Sequence, residues 1–315
     1  MVANLLFGSV DLSFFSWSSL SLKEQSLLKE LTLEMRLPRT LLAFFAGGAS
    51  AIAGLILQTV FKNPLAGPTT LGINSGASLG IALFYFVLSS LGYVATGGGE
   101  MLLAIVGALT FLFLIVLVAL RFKSVSTVLI VGVLLGYVAF SIIEILVQGG
   151  SEMEISQYVF WGMGSFNNAS WINVGLISML SCVLFFYFLK QANTLNLYLL
   201  GDDELIMNGK VPKKIRLQLI TATGVLIGLL TSIVGPLAFL GIAVPNFLKL
   251  QLRTLNHVVL LPYVALLGGG FAVFADLLSR GVVFAGVYPL NAVLSILAIP
   301  VVVFILLKKK NGTEG

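Results

Sequence analysis

Arg36 and Arg39 flank Leu37-Pro38, and Arg280 follows Asp276 by four positions. The proline ring stiffens the backbone between the first two guanidinium groups, and a planar guanidinium grips a carboxylate with two parallel hydrogen bonds. That pair is suited to capturing an acidic group, although two arginines can also merely anchor a helix at lipid headgroups. Asp276 and Arg280 share one helical face, so they either pair with each other or leave Arg280 facing a partner. Covalent chemistry has no comparable foundation. No Gly-x-x-x-x-Gly-Lys-Ser/Thr run exists, so ATP-driven work requires a separate ATPase. There is no His-Glu-x-x-His, and the single histidine, His257, lies in a short loop and reads as a solvated residue. Ser75-Gly76 would need a histidine at the same depth to act as a nucleophile, and none is available. The lone Cys182 excludes an intrachain disulfide, and no catalytic or metal-binding set emerges.

Apolar helices must position these groups. The chain of 315 residues is 58% hydrophobic and 10% charged, with a mean hydropathy of +1.05, against about 45–50% and about 25% in soluble domains. An all-α polytopic membrane protein follows. Segments long enough to cross, or nearly so, lie near 40–61, 69–91, 100–120, 126–147, 171–189, 217–235, 237–249, 259–278 and 289–307, the seventh being short. Placing the C-terminus in the cytoplasm puts Lys62, Arg121, Lys123, Lys190, Lys210, Lys213, Lys214, Arg216, Lys249, Arg253 and Lys308 to Lys310 inside, and leaves only Lys23, Lys29, Arg36, Arg39 and Arg280 outside. Topology therefore explains the net charge of +5, which gives no case for a nucleic-acid partner.

Three segments stand apart. Residues 1–35 form an outer-side segment whose apolar stretch, Val2 to Val10, is too short to span. Residues 149–170 read as an amphipathic or re-entrant piece, with acids followed by Trp161 and Phe166. In the inner loop 191–214, Asp202, Asp203 and Glu204 follow Gly201 and open a short helix, acids being favoured in a first turn. Such a helix is a handle for a cytoplasmic partner. Glu144 in the fourth segment reads either as hydrated near the outer mouth or as lining a pathway, and the glycines Gly47, Gly48, Gly54, Gly72, Gly76 and Gly80 as close helix contacts. The turns at Pro64-Leu-Ala and Pro236-Leu-Ala, at opposite faces, form a slight echo of an inverted repeat.

Taken together, Arg36-Leu-Pro-Arg39, Gln58, Asn63-Pro64-Leu-Ala-Gly-Pro-Thr-Thr-Leu-Gly72, Gly76-Ala-Ser-Leu-Gly80, Leu200-Gly201, Gly235-Pro236 through Pro245, and Ala275 through Arg280 resemble the FecCD-type permeases, membrane subunits of ABC importers for ferric siderophores, haem and cobalamin. The resemblance implies a BtuC-like helical bundle over 36–315 and no enzyme activity in this chain. It implies a second permease subunit, identical or different, an ATPase dimer holding ATP and Mg, and a periplasmic or lipid-anchored binding protein. Arg36, Arg39 and Arg280 would meet glutamates of that binding protein. Leu199, Leu200, Gly201, Asp202, Asp203, Glu204 and Gly209 would belong to coupling helices seated in the ATPase. Gln58, Asn63, Pro64, Gly72, Gly76, Gly235, Pro236, Pro245 and Asn246 would serve the scaffold or pathway. The implied location is the bacterial inner membrane.

The chain departs from the family pattern in four places. A first span before Arg36 is missing or truncated, Pro245-Asn246 replaces Pro-His, Leu200-Gly201-Asp202 replaces Leu-Gly-Glu, and Tyr288-Pro289-Leu290-Asn291 replaces Leu-Pro-Val-Gly. The Asn246 variant is similar to some ferric siderophore permeases, so Fe(III) carried by a siderophore is the expected cargo, with haem or cobalamin as alternatives. An ion-gradient-driven transporter is the reading from another class, and the scarcity of acids within spans argues against it.

Overall fold

A computed structural model describes residues 26, 29–88, 98–122, 124–281 and 286–311, with side chains as far as Val303. Most of the 1–35 segment and Lys123 therefore lie outside the described residues. The chain is built from α1 (Leu37–Val60), α2 (Ile73–Leu83), α3 (Gly99–Arg121), α4 (Val125–Gln148), α5 (Glu152–Gly162), α6 (Trp171–Lys190), α7 (Ala192–Leu200), α8 (Asp202–Met207), α9 (Pro212–Val234), α10 (Leu240–Leu252), α11 (His257–Ser279) and α12 (Leu290–Asn311). Among the described residues, six helical stretches are long and apolar enough to cross a membrane: 31–60, α3, α4, α6, α9 and α11. Three shorter apolar helices occupy Ile73–Leu88, Leu240–Leu252 and Leu290–Val303. These nine correspond to the nine apolar segments of the sequence.

Two boundaries differ from expectation for identifiable reasons. The first helix begins at Leu31, not near 40, and its first turn is π-helical over Leu31–Arg36. Pro38 cannot donate to a preceding carbonyl, and a wider turn just before it accommodates that loss. Arg36 and Arg39 thus lie on a continuous helix. The second apolar segment starts later than 69 because Pro68–Leu71 forms a 3-10 turn before α2.

α1 is the axis of the molecule. Every residue from Ala46 to Val60 is buried, as befits a helix apolar on all sides. It is gripped by α11 and α10 through small residues. A Cβ on Gly47 would fall 2.5 Å from the Gly268 carbonyl oxygen, and one on Gly54 only 1.9 Å from that of Gly241. α2 meets α3 in the same manner, Gly76 against Gly107. α3, α4 and α6 form the outer layer, exposing Phe113, Ile130, Phe140, Met179 and Phe186 at its surface. Cys182 is also exposed on α6. The two Pro-Leu-Ala turns follow α1 and α9, which run in opposite directions, and each leads into a shorter helix.

Candidate functional site

One end of the bundle is organised by charge. Asp276, near the end of α11, is 1% exposed, and Arg39 of α1 reaches it with Nη2 at 2.8 Å and Nε at 3.0 Å. Arg280 binds the other carboxylate oxygen from one turn further on. The expected pairing of Asp276 with Arg280 is present, and Arg39 joins it from 237 positions away. Asn167 accepts a further hydrogen bond from Arg39. Arg39 and Arg280 keep 24% and 11% of their side chains exposed. Two cations on one buried anion leave this three-residue cluster with a net charge of one positive unit. Arg36 lines the same cavity as these three residues.

That cavity measures about 1090 Å³ and is lined by Glu34, Glu100, Trp161, Asn168, Val234, Gly235 and Tyr288 besides the charged cluster. α5, opened by a reciprocal pair of bonds between Ser151 and Glu154, carries Trp161 to its wall. At Gly235 the chain leaves α9 and turns back into α10 part-way along α1, since Leu237 faces the same space as Ala49 and Ala53. Non-helical backbone at such depth requires protein partners. Asn291 supplies them: its Nδ2 donates to the carbonyls of Gly162 and Pro236, and its Oδ1 accepts from Ala238 N–H. Gly235 has φ +75°, where a side chain is strained, and a Cβ there would lie 2.7 Å from the Trp161 carbonyl oxygen. Phe239 closes the turn at φ +59°, an unfavourable conformation for a bulky residue.

The other end holds the remaining motifs. Pro245 lies inside α10 and cannot donate to Gly241, one turn back. The Gln58 amide donates to that carbonyl instead, at 3.1 Å, and Gln58 Oε1 accepts from Lys249 Nζ at 2.7 Å. Asn246 donates to the carbonyls of Pro64 and Ile242, and Asn63 accepts from Leu65 N–H, which fixes the turn after α1. Gly72 precedes α2 and packs on the Gly132 carbonyl. Gln58, Asn63, Pro64, Pro245 and Asn246 therefore form one scaffold, away from the cavity.

Leu199 and Leu200 end α7, and Asp202, Asp203 and Glu204 form the first turn of α8 as their charges suggest. Gly201, at φ +143°, makes the corner between the helices, and Gly209 follows α8. Leu200, Ile206 and Met207 are exposed around this acidic corner. Arg216 of α9 holds it down, donating from Nε to the Tyr198 hydroxyl at 3.2 Å and lying 3.6 Å from Asp202.

Sequence reasoning passed over Asn291 as a site residue and read His257 as solvated. His257 is 1% exposed, with its ring between Thr59 and Asn196.

Residues 1–308 match the FecCD transport family. The vitamin B12 import system permease protein BtuC of Klebsiella pneumoniae is 34% identical over 88% of this chain and 82% of its own length. That of Vibrio vulnificus is 32% identical over 98% and 90%. A solved metal-chelate type ABC transporter in an inward-facing conformation has the same fold, with a TM-score of 0.86 at 24% identity, covering 98% of this chain and 94% of the other.

Proposed function

The chain belongs to the FecCD transport family and is an ABC importer permease, a multi-pass protein of the inner membrane; from that premise we propose that it takes up a bulky metal chelate handed over by a substrate-binding protein. The observation that carries this reading is the convergence of Arg39 and Arg280 on Asp276 beside the 1090 Å³ cavity. Arg36, Arg39 and Arg280 serve as docking groups for carboxylates of the binding protein, charge-assisted contacts that steer and orient a partner. The Leu200–Gly209 corner, with its acids and exposed Ile206 and Met207, seats in a separate ATPase that holds ATP and Mg. Closure of that ATPase moves the corner and switches access between two permease subunits. The C-terminus lies in the cytoplasm, as the distribution of Lys and Arg supports.

Three cargoes are in play. Relatives named for vitamin B12 import support a corrinoid. The Asn246 variant, similar to that of ferric siderophore permeases, supports a siderophore carrying Fe(III), but Asn246 is engaged with Pro64 and Ile242, away from the cavity. A corrinoid is the first chelate to test, a ferric siderophore the second and haem the third. Cells lacking this chain and cells restored with it are compared for uptake of radiolabelled cobalamin, ferric siderophores and haem. Loss and rescue for one chelate, abolished by ATP depletion, is the expected result. Uptake that survives ATP depletion and collapses with the ion gradient contradicts the proposal in favour of a secondary transporter.

A further inference from the structure

We propose that Asn196, His257 and Thr59 are positioning residues that carry movement of the α7–α8 corner into α1 and α11, an inference that rests on the importer reading above. Asn196 of α7 is fixed in orientation. Its Oδ1 accepts from His257 N–H at 2.9 Å and faces the ring Nδ1 at 2.8 Å, while its Nδ2 donates to Asn256 Oδ1 at 2.9 Å. Asn256 in turn caps α11 by accepting from Val258 N–H at 3.0 Å. An acceptor opposite Nδ1 means that Nδ1 carries a proton. The other ring nitrogen, Nε2, lies 2.7 Å from Thr59 Oγ1 on α1. Three helices are thus joined by one polar path, buried at Thr59 and His257, half-buried at Asn196 and exposed at Asn256.

Purely apolar side chains would pack at this place without the cost of burying polar groups. What the polar path adds is a single register, since sliding any of the three helices leaves buried donors or acceptors unmet. α1 and α11 then behave as one body. They are zipped along their length by Gly47 and Gly268 and clasped at the far end by Arg39 and Asp276. A 23-residue helix such as α11 is about 34 Å long, so a shift at His257 is delivered to the arginine cluster. Gln58, next to Thr59, passes the same shift to α10 through Gly241 and Lys249, and α10 carries the Gly235–Phe239 turn.

The test uses the chain purified with its ATPase, reconstituted in liposomes with its binding protein, and reads transport per ATP hydrolysed with cobalamin, ferrichrome and haem as probes. Thr59→Val keeps the shape and removes the hydroxyl; Asn196→Ala removes the fixed acceptor; Thr59→Ser keeps the hydroxyl. Coupling residues of this kind change a linkage by roughly three- to thirtyfold. Thr59→Val and Asn196→Ala are expected to lower transport per ATP by about that factor, with the ATPase still bound and hydrolysing, and Thr59→Ser to match the unaltered chain. An unchanged ratio in both variants overturns the proposal, as does loss of the ATPase from the complex, which would make the residues part of docking. If the unaltered complex transports none of the three probes in an ATP-dependent way, the metal-chelate reading itself falls, and the proposal with it.

Discussion

Asp276→Ala is expected to destabilise the chain by about 3–5 kcal/mol, the range for removing one member of a buried ion pair. The magnitude follows from what is left behind. Asp276 is 1% exposed and pairs with both Arg39 and Arg280, the latter itself mostly buried. Without it, two guanidinium groups face each other with no anion between them, and the clasp between the ends of α1 and α11 opens. Asp276→Asn keeps the shape and one acceptor oxygen, so its loss is expected to be smaller. Thermal unfolding of the detergent-purified chain distinguishes these outcomes. An Asp276→Ala protein as stable as the unaltered one would mean that the cluster is hydrated and holds nothing together.

Gly54→Val is the second large effect, through sterics alone. A Cβ on Gly54 falls 1.9 Å from the Gly241 carbonyl oxygen and 2.4 Å from its Cα, and both are backbone atoms. No side chain can rotate away, so α1 and α10 must separate, breaking the bond from Gln58 to Gly241 and the junction beneath the re-entrant turn. The cost is expected to be at least about 3 kcal/mol, the upper end of overpacking penalties. Gly175→Ala on α6 is the matched control. Nothing lies within 4 Å of that site, so alanine is expected to be neutral or to stabilise by up to about 1 kcal/mol through helix propensity. Yield of monodisperse protein after extraction reads both. Equal yields from Gly54→Val and Gly175→Ala would contradict the packing described for α1.

Local signals in the sequence account for part of this architecture. Hydropathy marks nine segments because lipid-facing and buried helices are both apolar, and Gly201 followed by three acids marks the start of α8 because charge near a helix N-terminus is a local effect. Contacts between distant segments are another matter. Arg39 and Asp276 are 237 positions apart, and no periodicity links them. The i,i+4 pairing of Asp276 with Arg280 was legible; the third member was not. His257 follows Arg253-Thr-Leu-Asn256, which reads as a loop, and its burial arises only when α7 folds across it. The partnership of Gln58 with Gly241 was recoverable in principle, because Pro245 must orphan a carbonyl one turn back and some donor must meet it. Asn291 lacked even that cue, since the turn it holds is assembled from three separate segments.

If a binding protein delivers its cargo onto the arginine end of this permease, reversing a charge there must impair delivery. The direct measurement is uptake of the rescued chelate by cells carrying Arg36→Glu, which leaves Arg39, Asp276 and Arg280 in place, at membrane levels matched to the unaltered chain. Reversing a docking charge sets like charges against the partner's carboxylates, at a cost of several kcal/mol. Uptake is expected to fall by at least about tenfold, a factor equivalent to about 1.4 kcal/mol, while the purified ATPase complex still hydrolyses ATP. Unchanged uptake would contradict delivery at this end and would mean that the cargo enters without docking there.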